Sequence, residues 1–276
     1  VKGSEELNNK KDFSVFASGK SPLSILDKNK TNKKFWEIKA AADSDDTGEV
    51  YIYGDIVPYK WLDSDVTAAD FAKDLKALGD IKTLNIYINS CGGSVFEGQA
   101  IYSILKRHSA EKNIYVDGIA ASIASLIAMA GDNIYMPANA MMMIHNPWGF
   151  AMGNAQEMRK MADDLDKIRE AMIPAYLNKT GEKLTEDKLV ELLDAETWLT
   201  GQECVDYGLC DELLEEKKIA ASVSTEMLKN YKNVPDALKG KNLDGAADKL
   251  SEEERTKMIQ ELKASIKKRE KILGGM

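Results

Sequence analysis

The chain has 276 residues, with 37 Lys+Arg against 45 Asp+Glu and a formal net charge of −8. That balance argues against a dedicated nucleic-acid binder, because neutralising phosphates needs a basic surface. Apolar residues make up 44%, enough for one core of about 180 to 200 residues with appendages, while the longest weakly polar run, Gly118 to Gly131, is broken by serines and falls short of the roughly 18 to 20 residues of a bilayer span.

Residues 1–32 mix Lys, Asn, Ser and Gly without helical or strand periodicity and read as a flexible extension, with no charged start and apolar stretch of a secretory signal. Phe35, Trp36 and Ile38 give the first real pattern, and Ser44-Asp45-Asp46-Thr47-Gly48 predicts a turn into a strand at Val50 to Tyr53. From there strand and helix signals alternate, which predicts an α/β layered fold. Thr67 is placed to cap a helix carrying Phe71, Leu75 and Leu78, ended by Gly79. Leu84 to Ile88 reads as a strand running into Asn89-Ser90-Cys91-Gly92-Gly93. Ser94 and Glu97 stand at capping-box spacing before a helix with Ile101, Ile104 and Leu105.

A short strand is expected at Ile114 to Val116, then a turn at Asp117-Gly118 and a small-residue helix from about Ser122 to Gly131. Two more β segments follow at Ile134 to Met136 and Met141 to Ile144, the second closing on His145-Asn146-Pro147. A long polar helix is predicted over 154–178, with Met158, Met161, Leu165, Ile168 and Met172 on one face. That face suits an ordinary amphipathic helix as well as an interface. Thr200 and Glu203 form another capping box. Beyond Glu215 the chain turns strongly charged, with a last helix predicted after Ser251. The expected division is therefore 1–32, extension; 33–215, folded domain; 216–276, charged and partly helical tail.

Three of these loops can converge on one side of a sheet, bringing a double glycine, a serine and a histidine together. Serine becomes a nucleophile when a base takes its proton, and histidine suits that task near neutrality. His145 is one of two histidines; His108, in Lys106-Arg107-His108-Ser109, reads as a solvated residue at a helix end. Ser122 lies among small residues, where a serine also serves as a packing residue or a cap, and its surroundings are not GxSxG. Its place at a helix start, where backbone N–H groups can stabilise an oxyanion, favours it over Ser125. Cys91, Cys204 and Cys210 form neither a CxxC pair nor a disulfide framework and suit a reducing cytoplasm. Two histidines argue against a multi-ligand zinc site, and no cofactor is expected.

Taken in order, Asn89-Ser90-Cys91-Gly92-Gly93-Ser94-Val95, Gly118-Ile119-Ala120-Ala121-Ser122, Met143-Ile144-His145-Asn146-Pro147, and Trp198 to Glu203 continuing to Tyr207-Gly208-Leu209-Cys210-Asp211 resemble the Clp protease proteolytic subunit family across residues 49 to 215. Lys34 to Ile38 and His145-Asn146-Pro147-Trp148 are most similar to the members of phages and prophages that act in head maturation. The resemblance implies a Clp-protease and crotonase-like spiral of ββα units, a long handle helix by which rings stack, and a self-compartmentalised serine peptidase. It implies Ser122 as nucleophile, His145 as base, and an oxyanion hole of the Gly92 and Ile123 backbone N–H groups.

Two departures stand out. The family's NSPGG reads NSCGG, so Cys91 replaces a proline. The triad acid aligns with Glu196, with Asp194 as the alternative two residues earlier; an acid there orients the histidine and stabilises its cation. The expected partners are copies of the chain in a ring and protein substrates, phage capsid or scaffold proteins among them. An ATPase unfoldase is left open, no membrane or nucleic-acid partner is expected, and the location is the bacterial host cytoplasm. A general degradation subunit, a crotonase-type acyl-CoA enzyme and a catalytically idle ring scaffold remain the alternatives.

Overall fold

In the computed structural model the described residues are 34–42, 44–56, 67–216, 228–236 and 238. The expected extension 1–32 and the helix after Ser251 lie outside them. The fold is mixed α/β, built on one eight-stranded sheet. Strand β1 (Trp36–Ala40) runs antiparallel to β2 (Thr47–Tyr53), and β2, β3 (Thr83–Ser90), β4 (Glu111–Ala121), β5 (Asn133–Pro137) and β8 (Glu212–Leu214) continue in parallel. Each parallel step needs a crossover, and helices α1 (Ala68–Lys76) and α2 (Val95–Arg107) supply the first two.

Period-2 alternation sets the two faces. Val50 and Ile52, Ile86 and Ile88, Ile114 and Val116, and Ile134 and Met136 are fully buried. The residues between them put Tyr51, Tyr87, Tyr115 and Tyr135 in one register on the other face. Their rings stack at centroid separations of 4.8, 5.2 and 4.9 Å, as in-register parallel strands allow when one aromatic recurs.

Strand β4 divides its partners, and this division builds the site. Its first half pairs with β5, whereas Ile119, Ala120 and Ala121 pair with Met141, Met142 and Met143 of β6 (Met141–Ile144). The predicted turn at Asp117-Gly118 is thus the middle of a strand; a register irregularity against β3, between Ile88 and Ser90, absorbs the change of course. Strand β7 (Thr197–Thr200), which the sequence reading did not separate, closes antiparallel on β6. Between them lie the long helix α4 (Ala155–Thr180) and α5 (Glu186–Asp194); α3 (Ile123–Ala128) follows β4 and α6 (Gly201–Asp206) follows β7.

Two caps differ in an instructive way. Ser94 accepts the Glu97 N–H as expected, but the Glu97 carboxylate accepts from the Ala68 N–H at 2.6 Å, so it joins α2 to α1 instead of closing a capping box. Asn154 accepts from both the Gln156 and Glu157 N–H groups and starts α4 where predicted. The chain forms two compact units, 1–234 and 235–276, so residues 228–234, expected in the charged tail, belong to the first. Leu228, Tyr231 and Val234 are buried there, an i, i+3, i+6 apolar spacing hidden among polar residues.

Candidate active site

The ends of β4 and β6 carry the two residues on which the site is built. Ala121 and Met143 are the last pair of the ladder, and the Ser122 N–H then donates to the Met143 carbonyl at 2.9 Å. The chain turns from strand to helix at Ser122 alone, which adopts φ 55° and ψ −129°. A positive φ at a residue with a Cβ is strained, and such strain is held where the surroundings over-determine the backbone. His145 follows β6 directly, and its Nε2 lies 2.8 Å from Ser122 Oγ. Both residues are buried. Burial alone pushes the imidazole down to about 4, so the ring is neutral near pH 7.

Ser125 does not compete for the role. It is fully buried, its hydroxyl donates to the Ser122 carbonyl at 2.6 Å, and it lies 2.8 Å from the Tyr176 hydroxyl of α4. It braces the turn that presents Ser122. His108 ends α2 far from this chemistry, with Nδ1 accepting the Ala110 N–H.

The two expected oxyanion donors fare differently. Ile123 is the first residue of α3, where an N–H has no partner in the preceding turn. Gly92 lies against it: a Cβ at Gly92 would stand 3.2 Å from the Ile123 nitrogen and 2.8 Å from Ser122 Cβ, so only glycine fits. Its own N–H, however, donates to Ser90 Oγ at 3.1 Å. In this conformation the expected Gly92 donor is committed elsewhere. The neighbouring peptide is turned the other way: the Gly92 carbonyl accepts from Ile56, so the Gly93 N–H points away from Ile56.

The acids are placed near the histidine by the backbone but not by their side chains. Ile144 and Thr197 are partners across β6 and β7, which sets Glu196 opposite His145. Yet the Glu196 carboxylate accepts the Lys232 and Asn233 N–H groups at 2.6 and 2.8 Å. Asp194 accepts from Asn146 Nδ2 at 2.6 Å and pairs with Arg169 at 3.4 Å. Among the described residues neither carboxylate makes a hydrogen bond to His145.

What the sequence reading missed is Tyr231. Its hydroxyl donates to the Cys91 carbonyl. Its ring meets His145 edge to face at 5.4 Å and Trp198 at 6.0 Å. Burial pushes its phenol well above the usual tyrosine range. The Cys91 thiol, where the resemblance expects proline, is pushed up to about 12 by burial and is not a nucleophile near neutrality.

A hydroxyl with a neutral imidazole beside it, at the start of a helix and backed by a glycine turn, is suited to acyl transfer. The Clp protease family profile matches residues 62–217, more than half of the chain, and the chain belongs to that family. It is 34% identical over 138 residues to the ATP-dependent Clp protease proteolytic subunits of two strains of Bacteroides fragilis. That stretch is 49% of this chain and 66% and 62% of those relatives, so the match spans a little under two thirds of their length. Among the described residues no helix is long and apolar enough to cross a membrane.

Proposed function

We propose that the chain is a serine endopeptidase in which Ser122 is the nucleophile and His145 the general base. The observation that carries this reading is the 2.8 Å contact between His145 Nε2 and Ser122 Oγ at the ends of adjacent strands. In the reaction Ser122 Oγ attacks the peptide carbonyl while its proton passes to His145 Nε2. The tetrahedral oxyanion is held by backbone N–H groups, that of Ile123 and one from the glycine turn. With Gly92 N–H bonded to Ser90, the Gly93 N–H is the donor this conformation leaves for the task. His145 then protonates the leaving amine, and water attacks the ester by the same relay in reverse.

Glu196 is the acid of this reading, because register sets it opposite His145; Asp194 is the alternative, already engaged by Asn146 and Arg169. The working form is a ring of copies with α4 as the handle between rings, and the substrates are proteins, with phage capsid or scaffold proteins favoured by the wording of the sequence around Trp36 and Trp148. A cytoplasmic location follows from that setting.

Co-expression with the structural proteins encoded beside it, followed by mass-spectrometric mapping of new termini, tests the reading. Cleavage that disappears in Ser122→Ala is expected. Cleavage that persists in that variant overturns Ser122, and intact substrates in both overturn the substrate class.

A further inference from the structure

The segment 228–234 crosses the serine site and is fastened on both sides of it. Leu228, Tyr231 and Val234 are 5%, 6% and 6% exposed, so the segment is seated by its apolar side chains. Its polar anchors fall on the turn before β7: the Lys232 and Asn233 N–H groups on the Glu196 carboxylate, and Asn233 Nδ2 on the Ala195 carbonyl at 2.8 Å. Directly before these anchors the Tyr231 phenol meets the Cys91 carbonyl and the edge of the His145 ring.

Resting on the reading of Ser122 as nucleophile, we propose that residues 228–234 are a built-in inhibitory strap, whose Tyr231 side chain covers the Ser122–His145 pair and whose backbone holds the Glu196 carboxylate away from His145.

The geometry supports it. The Tyr231 hydroxyl is held on the Cys91 carbonyl, directly before the glycine turn, and its ring lies edge to face on His145 at 5.4 Å. The Glu196 carboxylate, opposite His145 in the register of β6 and β7, is turned onto the Lys232 and Asn233 N–H groups instead of the imidazole. The strap thus occupies the space beside the pair and holds away the acid that would orient the base.

The strap is also built to let go. It meets the site through the Tyr231 side chain, which an attacking hydroxyl cannot cleave. Its bonds to Glu196 are open to water, where each contributes only modestly. Once it leaves, a substrate can reach Ser122 and Glu196 is free to approach His145 Nδ1.

The test uses the full chain and two readouts. The first is the rate at which a fluorophosphonate labels Ser122 in the wild type, Tyr231→Phe and Tyr231→Ala. The phenylalanine keeps the ring and loses the hydrogen bond to the Cys91 carbonyl, and should label about tenfold faster or more. The alanine should be at least as fast. Equal rates in all three overturn the proposal. The second is hydrogen exchange at the Lys232 and Asn233 amides, which does not depend on catalysis. Protection in the wild type that is lost in Tyr231→Ala is expected, and free-chain exchange in the wild type overturns the strap whatever the labelling. Protected amides with no labelling of Ser122 in any variant locate the failure in the nucleophile, and the inhibitory role falls with it.

Discussion

The Ser122 N–H donates to the Met143 carbonyl at 2.9 Å, carrying the β4–β6 ladder one step past its last pair. Because the strands are parallel, the chain leaves both of them at the same edge of the sheet. Ser122 and His145 are therefore neighbours by strand pairing, before any side-chain preference is considered. Ser122→Ala removes one oxygen and leaves that backbone bond intact. Hydrolysis should fall by about three orders of magnitude or more with the fold retained by circular dichroism, and near wild-type turnover would move the nucleophile elsewhere.

Ser125→Ala should do the reverse. The variant strands the buried Tyr176 hydroxyl and takes one bond from the Ser122 carbonyl, a loss of about 1 to 3 kcal/mol. Chemical denaturation should show the lower midpoint, with fluorophosphonate still reaching Ser122. A variant as stable as the wild type would remove Ser125 from its bracing role.

His145 gives the protein a pH signature. Folded, its imidazole is held down to about 4, whereas the unfolded chain takes up the proton near 6.5. The unfolded state thus binds more protons across that window, and stability is lost as pH falls from about 6.5 towards 4, by an amount on the order of 3 kcal/mol. Above that window the contribution is constant. Comparing wild type with His145→Asn by urea unfolding at pH 7 and pH 4.5 isolates it from the carboxylates. A gap between the two proteins that stays the same at both values would show a histidine that titrates freely. His145→Ala should also abolish hydrolysis, while His108→Ala, which loses one bond from the Ala110 N–H, should leave it nearly unchanged.

The acids separate by what each already holds. Glu196→Gln keeps an oxygen to accept the Lys232 and Asn233 N–H groups but loses the charge that can stabilise an imidazolium. Turnover should drop at least about tenfold with the assembly intact, judged by size-exclusion chromatography. Asp194→Asn gives up its ion pair to Arg169, whose side chain is 27% exposed, and should cost well under tenfold. The opposite ranking would make Asp194 the acid, and two fully active variants would leave a Ser–His dyad.

How much of this was legible depends on the range of the interaction. The dyad could be read because each member comes directly after a short apolar strand: Ile119 to Ala121 before Ser122, and Met141 to Ile144 before His145. The glycine turn after Ile88 was readable for the same reason. The length of β4 was not, since Asp117-Gly118 has turn chemistry and only the double pairing with β5 and β6 makes it a strand. Glu196 was located by alignment with Trp198-Leu199-Thr200, but the direction of its carboxylate is set by amides 36 and 37 residues away. Tyr231 had the weakest signal of all, one aromatic in Leu228-Lys229-Asn230-Tyr231-Lys232-Asn233, where local composition suggests a solvated tail and only the tertiary structure reveals a buried ring.

One measurement bears most directly on the central claim that Ser122 is a nucleophile served by His145. The full chain carrying Tyr231→Phe is treated with a fluorophosphonate, digested, and the modified residue located by tandem mass spectrometry, with Ser122→Ala and His145→Ala in the same background as controls. The account predicts a single adduct on Ser122, absent from the Ser122→Ala control and strongly slowed in the His145→Ala control. An adduct on another residue, or one on Ser122 that forms equally fast without His145, would contradict it.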